Sequence, residues 1–372
     1  ACDQFTSEPE YWDRLKIYVD NTPSTLHMIL PEAYLDGEIQ HKINKINENM
    51  NLYLRSKMFI EKEAMILVER ETPHVKRRLG LVLAIDLDEY EYEPNKKGKI
   101  AATEKTVPER IPPRVKIREN APIEFPHVLV LVDDRNEGLI EKLYNNRSNY
   151  PKVYDFKLNM NGGHIKGYEI KNTENIIKQI ENLPNDLNLI VGDGNHSLAS
   201  AKVCWENLKP KLTEEERQDH PARYALVELI SLYDEGLTFE PIHRVLFNVD
   251  ESLIYILENN LDGEGELEIY FNKQTLKIAI PKNPFIAVKQ IQDILDDYLE
   301  KNKFVDIDFV HGIDSLRKLV SANRDAIGIS MPTLEREKLL PYIRENGVLP
   351  RKSFSLGEAE EKRYYFEGKK IL

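Results

Sequence analysis

Residues 187–202, Leu-Asn-Leu-Ile-Val-Gly-Asp-Gly-Asn-His-Ser-Leu-Ala-Ser-Ala-Lys, constrain the fold more than any other stretch of the chain. Aliphatic Leu187, Leu189, Ile190 and Val191 stop at Gly192, and Leu198, Ala201, Trp205 and Leu208 then recur at helical spacing. A strand must therefore turn directly into a helix, the unit from which α/β proteins are built. The turn is dense in polar groups. Gly192 and Gly194 let backbone N–H groups approach a ligand, Asp193, Asn195 and His196 fall within four positions, and Ser197 is placed to cap a helix whose N-terminus favours anions. An ordinary αβ turn uses glycine and aspartate for geometry alone. The crowding of functional groups favours a phosphate or carboxylate site over that plainer reading.

At 372 residues the chain exceeds the size at which single cores stop growing, so two lobes are expected. Residues 1–249 carry the candidate site, and residues 250–372 form a C-terminal α/β lobe whose tail is able to return to it. A net charge of −12 argues against nucleic-acid and anionic-membrane partners, since both need a basic face. No apolar run approaches the roughly 20 residues that span a bilayer. Cys2 and Cys204 provide neither a disulfide framework nor zinc spacing, which fits a reducing cytoplasm. The chain opens at Ala1 without a methionine, so a short preceding segment is expected. Oligomeric state is not legible.

Taken in order, Ser7 and Glu10 form a capping box for a helix over 8–19 that holds Tyr11, Trp12 and Leu15, with Asp3 just ahead of it. Residues 26–30 read as a strand closed by Pro31. Ile39, Ile43, Ile46, Met50 and Leu54 make an amphipathic helix. Residues 65–68 and 79–87 read as antiparallel strands, and a short helix opens at Pro112-Pro113. Between them, residues 102–110 gather Thr103, Glu104, Lys105 and Thr106, types suited to a phosphate. An exposed charged connector explains that segment nearly as well. Residues 127–133 are a buried-type strand, and Asn161-Gly162-Gly163 is a hairpin turn between strands over 153–160 and 164–170. Strands over 222–232 and 237–249 follow, joined by residues 233–236. The second carries His243 and Arg244, whose polar heads in a buried strand are costly unless paired or used. From residue 250 helices and strands alternate as scaffold, and the basic segment 349–354 with Lys352 could meet an anion.

Gly192-Asp193-Gly194-Asn195-His196-Ser197 nearly matches the GxGxxG fingerprint, but no strand-ending acid follows at the distance a Rossmann site needs. GxxxxGK[ST], HExxH and GxSxG are absent, and the nine histidines show no metal-ligand spacing. Several stretches resemble the family called domain of unknown function 1015. Its DGHHR-type motif resembles Asp193-Gly194-Asn195-His196-Ser197, its Pro-Thr-His-Arg strand resembles Pro241-Ile242-His243-Arg244, its His-Glu…Thr segment resembles Thr103-Glu104-Lys105-Thr106, and its Pro-x-Lys-Ser ending resembles Pro350-Arg351-Lys352-Ser353.

More distantly, the motif is similar to those of ParB-like domains and of free serine kinases. This resemblance implies a two-lobed protein with mixed α/β (α+β) sheets and a ParB-like core, with Mg2+ and ATP or ADP as cofactors. It implies Asp193 as base or Mg2+-organising carboxylate, His196 as a phosphate contact, and Glu104 and Arg244 as supporting groups. Gly192, Gly194, Asn195, Ser197, His243 and Lys352 complete the implied substrate or phosphate site. The chain departs from the motif at Asn195 and Ser197, and Ser197 removes a bidentate phosphate donor for which Arg244, Arg118 and Lys352 are the candidate substitutes. The expectation is a cytoplasmic phosphate- or nucleotide-handling enzyme, a small-molecule phosphotransferase. The alternative is a non-enzymatic nucleotide- or metabolite-binding regulatory protein.

Overall fold

The chain divides into two compact units, Ala1–Leu237 with Glu358–Leu372, and Thr238–Gly357. The computed structural model describes every residue except Ala1, Asp3, Thr6, Ser7, Asp36, Asn95, Lys97, Asn136, Glu137, Tyr364 and Tyr365, and of Ala359 only the backbone. The expectations at Asp3 and at the Ser7 cap lie outside the described residues.

The first unit carries helices α1 (Pro9–Val19), α2 (Gln40–Arg55), α3 (Ile111–Arg118), α4 (Leu139–Asn145), α5 (Glu174–Glu181), α6 (Asn195–Leu208) and α7 (Glu214–Asp219). Its strands are β1 (Met65–Glu71), β2 (Arg78–Asp86), β3 (Tyr90–Glu91), β4 (Ile100–Ala102), β5 (Ile123–Glu124), β6 (Leu129–Val132), β7 (Lys152–Lys157), β8 (His164–Ile170), β9 (Leu189–Asp193) and β10 (Tyr224–Ser231). Among the described residues nine of these form one mixed sheet in the order β3-β4-β9-β6-β10-β2-β1-β8-β7. Pairing is parallel at β3-β4, β4-β9 and β6-β10, and antiparallel elsewhere.

Strand β2 lies deep in this sheet because its run Leu79-Gly80-Leu81-Val82-Leu83 leaves no polar face for water. Helix α2 lays Ile43, Ile46 and Met50 into the same core, and α6 adds Leu198, Ala201 and Trp205. At Gly80 a Cβ would fall 2.2 Å from Glu228 Oε1, so the glycine makes room for a carboxylate inside the sheet.

One local expectation is corrected. Residues 26–30 are not a strand: Thr25–Met28 form a short 3-10 turn, because the Ser24 side chain accepts from Leu26 N and turns the backbone. Residues 233–236 join β10 to a strand that lies in a different sheet. Asp234 accepts from Leu79 N and Gly236 N, which fastens this segment to the start of β2. The units accordingly part after Leu237, ahead of the change in texture at residue 250.

The second unit contains β11 (Phe239–Phe247), α8 (Ser252–Asn260), β12 (Gly265–Phe271), β13 (Gln274–Ile280), α9 (Pro284–Lys301), β14 (Asp306–His311), α10 (Ile313–Ala322), β15 (Ala326–Ile329), α11 (Arg336–Asn346) and β16 (Phe354–Leu356). Its strands pair antiparallel in the order β13-β12-β15-β11-β14, with β16 also on β11. The chain then returns to the first unit, where β17 (Lys369–Lys370) pairs with β5.

Candidate functional site

The turn between β9 and α6 is held from three sides. Gly194 occupies the N-cap with φ +87°, and a Cβ there would come 2.6 Å from His127 O, so both conformation and space require glycine. Ser197 is therefore not the cap; it stands inside the first turn of α6, and among the described residues no side chain caps this helix. Parallel pairing of Ala102 with Val191 brings the segment after β4 to the same sheet end as Asp193. There Asn195 Oδ1 accepts from Thr103 N at 3.3 Å, and Thr103 Oγ1 donates to Val191 O at 2.6 Å. His196 Nε2 accepts from Val107 N at 3.0 Å, which places the ring proton on Nδ1 and pins residues 103–107 against the loop. Glu104, half-buried, sits within that pinned segment.

Asp193 is the electrostatic centre. Its Oδ1 accepts from Gly194 N at 2.8 Å, while Oδ2 lies 3.2 Å from His127 Nε2 and 3.2 Å from Lys362 Nζ. Burial opposes ionisation, yet Lys362 and then His127 outweigh it and hold the carboxyl well below the usual carboxylate range. His127 Nδ1 donates to Arg363 O at 2.9 Å, and Gln4 Nε2 donates to Lys362 O at 2.8 Å. The C-terminal segment is thus fastened across the loop by backbone and side chain alike.

Lys362 also lines a cavity of about 370 Å3, together with Arg70, Arg363, Phe5, Tyr11 and Phe366. Arg70 on β1 and Arg78 on β2 are direct cross-strand partners, an arrangement that repels unless anions intervene. Glu361 reaches Arg78 at 3.8 Å, and Arg363 meets Glu228 at 3.3 Å and Glu367 at 3.1 Å. Arg70, 1% exposed, makes no ion pair among the described residues: it donates to Glu361 O, Gly162 O and Glu360 O, and its Nε has no acceptor there. Burial, then Arg78 and Arg363, push its guanidinium down to about 9, still charged at neutral pH. Among the described lining residues the cations outnumber the carboxylate of Glu360, and with the aromatic rings a cavity of this size suits an anionic organic ligand.

The structure gathers Gly192, Asp193, Gly194, Asn195, His196, Ser197 and Glu104 at one sheet end of the first unit. His243, Arg244 and Lys352 belong to the second unit. His243 Nδ1 accepts from Met331 N. Arg244, fully buried, donates to Gln292 Oε1 at 2.9 Å and to the backbone oxygens of Ile242, Lys352 and Arg351. Sequence reasoning missed His127, Lys362 and Arg70. The argument that singled out His243, a polar ring beside a buried run, applies equally to His127 ahead of Val128 and Leu129; nothing local marks Lys362. Among the described residues no group of three or more His, Cys, Asp or Glu is placed to hold a metal ion. Asp193 already faces two cations, so these residues do not fit a Mg2+ cage. No helix among the described residues is long and apolar enough to cross a membrane.

Fold and site together define a mixed α/β protein with a glycine-bearing strand-turn-helix loop and an adjoining cationic cavity. The chain belongs to the family described as protein of unknown function (DUF1015), whose profile matches residues 1–301. No match is found among curated proteins. Among solved structures the chain is similar to a free serine kinase variant in complex with AMP, at 8% identity and TM-score 0.45 over 78% of this chain and 92% of that one. It is also similar to SbnI from Staphylococcus aureus, at 8% identity and TM-score 0.45 over 78% and 87%. A conserved hypothetical protein from Pyrococcus furiosus aligns at 12% identity and TM-score 0.42 over 78% and 95%.

Proposed function

We propose that the first unit is a small-molecule phosphotransferase that binds a nucleotide, ADP or ATP, in the cavity beside Lys362 and uses loop 192–197 at the phosphates. The observation that carries this reading is the double position of Lys362, 3.2 Å from Asp193 and on the cavity wall with Arg70 and Arg363. Cations so placed neutralise phosphate oxygens, and the first turn of α6 presents backbone N–H groups to them. Gly192, Gly194, Asn195 and Ser197 form the loop wall. A carboxyl held far below the usual range accepts protons poorly, so Asp193 orients Lys362 and His127, and Glu104 is the base for an acceptor hydroxyl. His196 keeps Glu104 in place through Val107.

Calorimetric titration of the chain with ADP and ATP, with and without Mg2+, tests the binding step. Binding that Lys362→Met weakens by about tenfold or more is the expected result. Absence of heat and of any thermal shift with both nucleotides would remove the reading. Glu104→Gln should keep binding and lose turnover. A second reading, a non-enzymatic nucleotide- or metabolite-binding regulatory protein, is favoured by one feature: three contacts already engage the Asp193 carboxylate. Binding without turnover toward any hydroxyl acceptor would select it.

A further inference from the structure

A second cavity, about 80 Å3, lies in the first unit between α3, the first two turns of α6 and β5, lined by Arg118, Glu124, Ser197, Ser200, Ala201 and Ile117 among mostly apolar neighbours. At roughly 10–15 Å3 per water-sized centre it has room for a chain of about five or six heavy atoms. Arg118 is nine-tenths buried. Its Nε donates to Glu124 Oε2 at 2.9 Å, while Nη1 and Nη2 have no oxygen or nitrogen acceptor among the described residues and only the buried Cys204 thiol, a weak acceptor, beside the guanidinium. Two buried donors of one guanidinium left in this state cost stability, and their fork geometry matches a carboxylate.

The charges around Arg118 are also unbalanced. Lys369, the cross-strand partner of Glu124, donates its Nζ to Pro221 O and Lys370 O and adds a second cation beside that one carboxylate, whose other oxygen accepts from Leu226 N at 2.8 Å. Arg114 is matched separately by Glu32 at 2.6 Å. The neighbouring Cys204 thiol does not supply the missing charge, because burial, with Glu119 and Glu124, raises it against the pull of Arg118. Burial, together with Arg118, brings Lys369 down to about 8 despite Glu124. We infer that this cavity is a second binding site, specific for a small monocarboxylate with a short apolar chain, the carboxylate on Arg118 Nη1 and Nη2 and the chain against the apolar wall. The inference does not rest on the nucleotide reading, although Ser197 of the loop wall there also lines this cavity.

Calorimetric titration of the full chain with acetate, propionate, butyrate, butylamine and inorganic phosphate tests it. Affinity should tighten about fourfold per added methylene from acetate to butyrate, the gain expected for each CH2 that leaves water. Butylamine should not bind, and phosphate should bind more weakly than butyrate. Arg118→Met should cost about tenfold or more in butyrate affinity. Ala201→Val, which narrows the cavity and keeps Arg118, should abolish the gain from propionate to butyrate, and Asp193→Asn should leave butyrate binding unchanged. Equal binding of butylamine, phosphate binding as tight as butyrate, butyrate binding indifferent to both Arg118→Met and Ala201→Val, or no heat with any acid would each overturn the inference.

Discussion

Arg70 in the first unit and Arg244 in the second are both buried arginines on strands, and they are used in opposite ways. Arg244 stacks over Phe309 and spends its donors on Gln292 and three backbone oxygens, so the side chain staples residues 351–352 to β11. Arg70 stands opposite another arginine, donates among the described residues to backbone oxygens alone, and borders a cavity. A buried cation is a mark of function only where its local accounts stay open, and that depends on what packs around it.

The largest expected effect tests whether the first unit depends on its internal carboxylates. Glu228, 1% exposed and given space by Gly80, faces Arg363 directly and lies within the field of Arg78 and Arg70. Glu228→Gln should lower stability by about 3–5 kcal/mol, the cost of stripping a buried ion cluster of one partner. Urea unfolding measures it. A loss under about 1 kcal/mol, the scale of one ordinary hydrogen bond, would mean that the arginines are paired elsewhere.

A smaller effect separates the two arginines themselves. Arg244→Met leaves several buried acceptors without a donor and should destabilise the second unit by about 2–3 kcal/mol with no change in nucleotide response. Arg70→Met also removes the repulsion with Arg78, so its stability loss should be nearer about 1 kcal/mol, while the nucleotide-induced thermal shift disappears. Comparable stability losses with the nucleotide response intact in both variants would erase the distinction.

Much of this architecture was legible because it is local. The junction at 187–202 announced β9 and α6, and the turn at 161–163 delivered the hairpin, with Asn161 at φ +64° and Gly163 at φ +84°. The grouping of Glu104 with the loop was not legible from spacing; it follows from the register of β4 on β9. Lys362 was hidden for a similar reason: hydrophobic period tells which face a residue shares, not which distant charge arrives there. Likewise, residues 225–230 of β10 and 242–246 of β11 are both continuous buried runs, and nothing in either says that they join different sheets. The unit boundary was therefore expected where composition changed, rather than where the chain leaves its first core.

The smallest effect distinguishes the units by pH. In the first unit Asp193 and Glu228 are both held below their ordinary values of 3.8 and 4.5: burial acts against them, while Lys362 and His127 for the one, and Arg363, Arg78 and Arg70 for the other, prevail. A carboxylate with a lowered folded pKa contributes stability above its unfolded value and loses it as pH falls toward the folded one, so this unit should hold until pH drops below about 4.5. In the second unit His243 is also lowered, from 6.5, by burial, then Arg244 and His311. For this base too the unfolded chain binds the proton more readily, so stability falls as pH drops below 6.5. The contact responsible is visible: protonation puts a hydrogen on Nδ1, the atom that accepts from Met331 N. One such group gives at most about 1.4 kcal/mol per pH unit. Hydrogen exchange followed separately in the two units between pH 7 and 4 should therefore show the second loosening first, and His243→Gln should flatten that early phase. Loosening of the first unit ahead of the second would mean that its buried carboxylates are less well paired than the contacts of Lys362, His127 and Arg363 imply.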